Sequence, residues 1–448
     1  MRAVTLVLSL LIAAPLITAP VWSQGVDDAR FQDVWHGTLD TGGPQLRLEV
    51  EITAEGSVMT SLDQGNAQIP ASGATVESEA LTLSFAPAPI TMQLELTTPD
   101  TLVGSFTQGP GTLPLTLTRG ATPADTPLEI IGTDTDVSIE SGEAILAGSL
   151  RLPPVPDQPP VILLLNGSGP QDRDATVAGQ RVFGVLADAL ASRGIASLRL
   201  DDRGVGGSSA IAVSSPHGLA EDAVIALETL RERDDVDTAC VALLGHSEGG
   251  LIAFLAAQNA RPDFIITLAG MHGTMADTLY EQSEALILAS GGGQAGADAN
   301  RALQDAMFAA MRTASEGEAG SAIEAALIER GFPAEAAAQQ AAIWGQPYAV
   351  AALDLDPREA MAAYDGPVHA FFGERDLQVL AEPNAARLLD AREGLPTEIT
   401  VIEGVNHLFQ DSETGLPGEY ATASHAMSPA SLDAIGEAAE ALIGAACR

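Results

Sequence analysis

The stretch that decides the fold is residues 240–257, "CVALLGHSEGGLIAFLAA". The apolar run from Cys240 to Leu244 predicts a buried strand, and the segment from Gly249 to Gln258 predicts a helix. Ser247 stands at the centre of the turn between them, with a glycine two positions away on each side. Such a turn forces its central residue to positive φ, and glycines let the two chain segments cross closely. We therefore expect Ser247 to be a nucleophile held at a helix N-terminus.

Strands and helices alternate on both sides of this turn. Further apolar strands are predicted at 161–165, 196–200, 264–268, 367–372 and 398–402, and amphipathic helices at 180–192, 219–231, 383–391 and 429–443. Continuous apolar strands between such helices predict a mostly parallel sheet with helices on both faces. Alanine-rich helical segments interrupt the alternation at about 272–365, which predicts a helical lid inserted between two strands.

The N-terminal part follows a different pattern. Between residues 24 and 118 apolar and polar residues alternate in short runs such as Leu46 to Ile52, which predicts a small all-β domain, a barrel or a sandwich. Residues 119–134 contain two prolines and no periodicity, and they are predicted to be a linker to a second domain at 135–448.

Residues 1–23 are expected to be a signal peptide. Arg2 precedes a short apolar run that ends near small residues, and the run is short for a retained membrane anchor. We expect cleavage after Ser23 and export to the periplasm or the medium, with no membrane insertion afterwards.

The charge balance excludes several classes of partner and chemistry. The chain has 21 basic and 60 acidic residues, for a net charge of −39. Such a surface repels nucleic acid and anionic lipid, so neither is an expected partner. All basic residues are arginines, which excludes Schiff-base lysines, Ser–Lys dyads and the phosphate-loop lysine. We expect Cys240 to be a small buried hydrophobe, although an exported chain permits its pairing with Cys447.

A serine nucleophile needs a base and an acid to orient that base. In a strand–turn–helix site of this kind the acid and then the histidine follow the serine in sequence. His407, just after a late strand, is the predicted base, with His425 in reserve. Asp376, just after the preceding strand, is the predicted acid, with Glu374 as the alternative.

An oxyanion formed at Ser247 needs N–H donors. The residue after the nucleophile, Glu248, supplies one backbone N–H, and Gly167 or Ser168 in the loop after the first parallel strand supplies the other. The Glu248 side chain could contact substrate or orient a lid residue, or it could be a solvated charge. Asp201 to Gly204 predicts a buried arginine–carboxylate brace rather than a catalytic group.

Five motifs give a family resemblance: "NGSGPQDRD" at 166–174, "RLDDRGVGGSS" at 199–209, "GHSEGG" at 245–250, "GERDLQV" at 373–379 and "GVNHLFQ" at 404–410. Together they resemble secreted or periplasmic carboxylesterases of the α/β-hydrolase superfamily, close to the serine-aminopeptidase-like branch. The N-terminal stretches "LDQG" at 62–65 and "LPLTLTRG" at 113–120 resemble the domain that precedes the hydrolase in that family. The resemblance implies a triad of Ser247, Asp376 and His407. This chain has Gly207 and Arg375 where the family usually carries lysine.

The expected activity is cleavage of small carboxylic esters through an acyl-enzyme, without metal or cofactor. A peptidase or amidase on the same triad is the alternative within enzymes, and Glu248 or a carboxylate of the lid is the only hint of a group that holds an amino terminus. A non-catalytic ligand-binding protein is the alternative outside enzymes. Methionines in the lid, Met275, Met307 and Met311, either line an acyl pocket or pack between helices. The sequence leaves the oligomeric state open.

Overall fold

The computed structural model describes residues 26–40, 45–61, 67–85, 90–108, 111–120, 131–211, 213 and 215–447. The predicted signal peptide, the "LDQG" stretch at 62–65 and most of the predicted linker at 119–134 lie outside these residues. Within the described ranges, no helix is long and apolar enough to cross a membrane.

The N-terminal part is a single antiparallel sheet of nine strands. They are β1 (Asp33–Asp40), β2 (Gln45–Ile52), β3 (Ser57–Ser61), β4 (Ala67–Pro70), β5 (Gly73–Glu77), β6 (Ala80–Phe85), β7 (Ile90–Thr98), β8 (Thr101–Gln108) and β9 (Gly111–Arg119). Their order is β4-β3-β2-β1-β9-β8-β7-β6-β5, so the two edge strands follow each other in the chain. The inward side chains form one cluster that includes Trp35, Leu83 and Met92. One sheet curled over one core is barrel-like rather than a two-sheet sandwich.

The second part is a mixed sheet with two flanking layers of helices. The strands of this part are β10 (Thr133–Ser141), β11 (Ala144–Leu152), β12 (Val161–Leu165), β13 (Thr176–Val177), β14 (Gln180–Arg181), β15 (Ala196–Leu200), β16 (Val241–His246), β17 (Ile265–Leu268), β18 (Val368–Gly373) and β19 (Thr397–Ile402). Of these, β13 and β14 form a separate short hairpin. The sheet order is β10-β11-β15-β12-β16-β17-β18-β19, and every pair from β15 to β19 is parallel. The predicted fold class is confirmed.

Eleven α-helices are found in the described ranges. They are α1 (Val182–Ser192), α2 (Pro216–Arg231), α3 (Glu248–Ala260), α4 (Met275–Ala289), α5 (Gly293–Thr313), α6 (Ala319–Glu329), α7 (Ala334–Trp344), α8 (Pro347–Ala352), α9 (Arg358–Ala363), α10 (Ala381–Ala391) and α11 (Pro429–Ala446). On one side α1 contacts α11, and on the other α2 contacts α3. The first helix begins later than the predicted residue 180, because Gln180 and Arg181 pair with Thr176 and Val177 in a hairpin.

The lid consists of the helices between β17 and β18. Met307 and Met311 belong to a separate core formed by lid helices, with Phe308 and Ile323, and Met275 packs against the core of the sheet. Met307 and Met311 therefore pack between lid helices, whereas Met275 packs against the sheet domain. The Ala276 N–H donates to the Leu353 carbonyl at 2.9 Å, so the lid leaves the sheet domain and returns to it at the same point.

A disulfide joins Cys240 to Cys447, a pairing that the sequence leaves open, and Cys240 is buried as expected. Cys240 immediately precedes β16, the strand that leads to Ser247, and Cys447 follows α11. The bond closes a loop with a sequence separation of 207 residues, and a cross-link over so long a loop restricts the unfolded chain strongly.

We expect the double variant Cys240→Ala/Cys447→Ala to lose about 2–5 kcal/mol of unfolding free energy, because it frees that loop in the unfolded state. Guanidinium denaturation followed by circular dichroism measures the loss. Cys447→Ala alone, and reduction of the unaltered protein, should give the same loss. An unchanged midpoint after complete reduction would contradict the prediction.

A second buried feature is His272, which follows β17 and is fully inaccessible to solvent. Its ring meets Phe254 and Phe372 edge-on at centroid distances of 6.0 and 5.8 Å, and Nδ1 lies 3.3 Å from the Asn384 carbonyl oxygen. Burial lowers the pKa of His272 to about 3. The folded protein therefore holds this ring neutral at pH values where the unfolded chain already binds a proton.

Because unfolding takes up that proton, stability should fall as the pH drops below about 6.5, towards the folded-state pKa. A single such group contributes a slope of up to about 1.4 kcal/mol per pH unit. We expect His272→Gln to reduce the pH dependence of the urea midpoint between pH 6 and 4, whereas exposed His217→Gln leaves it unchanged. Equal slopes in both variants would show that the buried imidazole does not carry the effect.

Candidate active site

Ser247 lies in the turn between β16 and α3. Its φ of 55° and ψ of −119° place it in the left-handed region that the sequence pattern predicts. A Cβ on Gly245 would overlap the Gly249 carbonyl, and one on Gly249 would overlap the Leu165 carbonyl. The Ser247 N–H donates to the Leu268 carbonyl at 2.9 Å, and its own carbonyl accepts from the Met271 N–H at 3.1 Å. Close packing against β12 and a hydrogen bond to the end of β17 therefore fix the conformation of the turn.

Asp376 and His407 are brought together by the loops after β18 and β19. The His407 Nδ1 lies 2.8 Å from Asp376 Oδ2, and both side chains are buried, with exposed fractions of 6% and 3% for the two residues. The Asp376 Oδ1 accepts from the N–H groups of Gln378 and Val379 at 2.7 and 2.9 Å. A carboxylate held in this way accepts a hydrogen bond from the Nδ1–H group and leaves Nε2 of His407 as an acceptor.

The two alternatives for these roles lie elsewhere. The Glu374 carboxylate accepts from the Gly404 N–H at 2.9 Å and thereby closes the loop that carries His407. His425 is exposed, before α11. Glu374 therefore anchors a loop, and the Asp376–His407 pair is the one that the geometry favours.

His246 connects the nucleophile turn to the histidine loop, a role that the sequence analysis did not assign. Its Nε2 lies 2.9 Å from the His407 carbonyl oxygen, and the two rings have centroids 4.7 Å apart. Burial lowers the pKa of His246 to about 3, so the ring is neutral and its Nε2–H donates. His246 directly precedes Ser247, which places His407 beside the nucleophile. In the described part of the chain no hydrogen bond joins Ser247 to His407, so proton transfer between them remains a prediction.

The loop after β12 lies against Ser247. A Cβ on Gly167 would be 3.2 Å from the Ser247 Cβ and 3.3 Å from His246 Nδ1, so glycine gives the loop close access. Over the described residues, neither the Gly167 N–H nor the Ser168 N–H donates to a protein acceptor. The Glu248 N–H is the first of α3, where N–H groups lack intrahelical partners. The N–H groups predicted to bind the oxyanion, those of Glu248 and of Gly167 or Ser168, therefore belong to two segments that meet at Ser247.

Two carboxylates hold the loop after β12 in place through hydrogen bonds. Asp202 accepts from Asn166 Nδ2 at 3.0 Å and from the Gln171 N–H at 2.8 Å. Asp201 accepts from Arg173 Nη2 at 2.7 Å and from the Gly207 N–H at 3.0 Å. An arginine–carboxylate brace is therefore present as predicted, but its arginine is Arg173, because Arg203 of the predicted stretch pairs with Asp222 at 2.6 Å. Burial raises the pKa of Asp202 to about 7, with the charge of Glu248 adding to the effect.

Glu248 is not a solvated charge. Only 2% of the residue is exposed, and Oε1 accepts from the Tyr348 hydroxyl of α8 at 2.9 Å. Of the readings open from the sequence, the structure therefore supports contact with a lid residue. Within the described ranges no group of three or more His, Cys, Asp or Glu is placed to hold a metal ion.

Comparisons with known proteins agree with this architecture. Residues 180–290, which include Ser247 and exclude Asp376 and His407, match the family model described as serine aminopeptidase, S33. The chain is 26% identical over 286 residues to "Esterase EstD" of Thermotoga maritima, and the match spans 62% of each protein. The chain thus covers about three fifths of that relative's length.

Some solved structures are similar to this chain at low sequence identity. Est1E from Butyrivibrio proteoclasticus is 15% identical, with 69% of this chain and 99% of that chain covered and a TM-score of 0.40. The Pyrococcus furiosus esterase Pf2001 is 11% identical, with 73% and 97% covered and a TM-score of 0.45. The sheet order, the turn at Ser247 and the family match lead to one conclusion. The second domain of this chain has the α/β-hydrolase fold and follows an all-β domain, and its residues 180–290 are similar to the S33 serine aminopeptidases.

Proposed function

We propose that the protein is a serine hydrolase that cleaves carboxylic esters. The observation that carries the proposal is the buried Asp376–His407 pair, which His246 fixes beside a positive-φ serine. The esterase relative supports a carboxylic ester as the substrate class.

In the proposed mechanism the Ser247 hydroxyl oxygen attacks the ester carbonyl carbon while His407 Nε2 takes the hydroxyl proton. The carbonyl π electrons move to the oxygen, which the N–H groups of Glu248 and of Gly167 or Ser168 stabilise. When the tetrahedral intermediate collapses, the imidazolium gives its proton to the leaving alkoxide and an acyl-enzyme forms. Water, activated by the same imidazole, then hydrolyses the acyl-enzyme. Asp376 keeps Nδ1 protonated and stabilises the imidazolium throughout.

The direct test is labelling with a fluorophosphonate probe, followed by mass spectrometry of the modified peptide. We expect the label on Ser247 and its loss in His407→Ala. A folded protein that takes no label, or takes it on another serine, would refute the proposed nucleophile.

A peptidase on the same triad is the second candidate, and the family match to serine aminopeptidases favours it. The two are separated by comparing kcat/KM on p-nitrophenyl esters with kcat/KM on aminoacyl p-nitroanilides. An esterase should prefer the esters by several orders of magnitude after correction for their uncatalysed hydrolysis rates. A corrected preference for the anilides would make the peptidase the better assignment.

We also propose that the chain is exported. The Cys240–Cys447 disulfide supports this, because such bonds persist in oxidising compartments. Expression of the full chain in a bacterium, followed by fractionation and mass spectrometry, should give exported protein that begins at Gln24. Protein that stays in the cytoplasm with an intact N-terminus would refute export.

A further inference from the structure

The Glu248 carboxyl has no part in the mechanism above, in which only its N–H acts. A glutamate in the first turn of a helix normally points to solvent, where its charge is hydrated. Here the side chain is buried, and burial raises the pKa of Glu248 while hydroxyl donors act against that rise. A carboxyl buried beside a nucleophile needs a structural reason.

Two hydroxyl groups from separate parts of the chain converge on this carboxyl. The Tyr348 hydroxyl, from lid helix α8, donates to Oε1 at 2.9 Å. The Ser168 side chain, from the loop after β12, lies beside this carboxyl, and its hydroxyl opposes the rise in the pKa of Glu248. Burial raises the pKa of the Tyr348 phenol, so its hydroxyl keeps its proton and remains a donor. This carboxyl thus joins the nucleophile turn to the lid and lies beside the oxyanion loop.

The residues it joins are those that carry the oxyanion donors. In the proposed mechanism one N–H belongs to Glu248, and the other belongs to Ser168 or its neighbour Gly167. Because the Glu248 side chain lies between the Ser168 hydroxyl and the Tyr348 hydroxyl, its position affects how far the two backbone donors can separate. Asp202 holds the other end of the same loop through Asn166 and Gln171.

We propose that the Glu248 carboxyl is a positioning group that sets the spacing of the oxyanion-binding N–H groups, and that Tyr348 makes this spacing depend on a seated lid. The proposal rests on the proposed hydrolase function. Stabilisation of an oxyanion depends steeply on donor distance, so a small outward shift of the loop lowers the rate of chemistry more than it weakens substrate binding.

The test compares Tyr348→Phe, which removes one hydroxyl, with Tyr280→Phe as the matched control. Tyr280 is also a lid tyrosine, but its hydroxyl donates to Asp305 within the lid. On p-nitrophenyl acetate we expect Tyr348→Phe to lower kcat by about 10- to 100-fold with KM within about 2-fold. We expect Tyr280→Phe to match the unaltered protein.

A second pair of variants acts on the carboxyl itself. Glu248→Gln keeps an oxygen acceptor for Tyr348 and should retain more of kcat than Glu248→Ala. Thermal unfolding of all four variants distinguishes misfolding from misplacement, because the proposal requires lower kcat in protein that melts as the unaltered protein does.

The outcomes separate the two proposals. An unaltered protein that hydrolyses esters, with unchanged kcat in Tyr348→Phe, would overturn the positioning role alone. A rise in KM without loss of kcat would overturn it as well and would make Tyr348 a substrate contact. An unaltered protein that hydrolyses no ester and takes no fluorophosphonate would refute the function on which the positioning role depends.

Discussion

Replacing Ser247 by alanine should lower kcat on an activated ester by a factor on the order of 10⁶, because the attacking oxygen is removed. Residual hydrolysis above the rate in water should remain, since the backbone donors still bind the oxyanion. Steady-state kinetics on p-nitrophenyl acetate, in protein free of unaltered enzyme, measures the loss.

The substitution is a clean test because serine and alanine both carry a Cβ. The backbone at position 247 has positive φ, and the strain of that conformation is similar for the two residues. We therefore expect the thermal midpoint of Ser247→Ala to stay close to that of the unaltered protein. Activity within 10-fold of the unaltered protein would mean that another group is the nucleophile.

The second large effect is expected for Asp376→Asn, which should lower kcat by about 10⁴-fold. The asparagine oxygen can still accept from the Gln378 and Val379 N–H groups, so the loop keeps its shape. Its amide nitrogen then faces His407 Nδ1 and donates to it. This selects the tautomer with Nε2 protonated, which cannot accept the proton of Ser247.

Glu374→Gln is the matched control, because it lies in the same loop and keeps an oxygen for the Gly404 N–H. We expect its kcat within a few-fold of the unaltered protein. A larger loss in Glu374→Gln than in Asp376→Asn would transfer the role of the acid to Glu374.

The parts of the site that the sequence predicts well are those fixed by local chemistry. A few consecutive residues identify Ser247, because the turn leaves no room for a Cβ at Gly245 or Gly249 and therefore requires glycine at both positions. The parallel order of strands also determines that the loops after β18 and β19 reach the same sheet edge as Ser247, and this favours Asp376 and His407.

The features of the site that the sequence predicts poorly depend on contacts between distant segments of the chain. No local pattern distinguishes Cys240 as paired, because its partner lies at the other end of the domain. Tyr348 is one polar residue in an alanine-rich lid, and only the packing of α8 brings it to Glu248. His246 stood beside the nucleophile in the sequence, yet its bond to the His407 carbonyl depends on how two loops meet.

One prediction from the local sequence, the start of the first helix, is wrong. Gln180 was predicted to open a helix, but Ala178 and Gly179 both have positive φ and form the tight turn of a two-residue hairpin. This hairpin receives the Arg47 guanidinium of the N-terminal domain, whose Nη2 donates to the Ala178 carbonyl at 2.7 Å. A turn that serves a contact between domains overrides the helix propensity of the residues that follow it.

The hydrogen bond between Ala276 and Leu353 has a consequence for how the lid could vary without disturbing the sheet. The segment between these residues starts and ends at neighbouring backbone positions, and many of its side chains pack in a hydrophobic core of their own. Loop-closure entropy grows only slowly with length, so a longer or shorter excursion from the same two anchor points is tolerated. Evolution or an engineer can therefore exchange this segment while Ser247, Asp376 and His407 keep their places, provided that another donor to the Glu248 carboxyl replaces the Tyr348 hydroxyl.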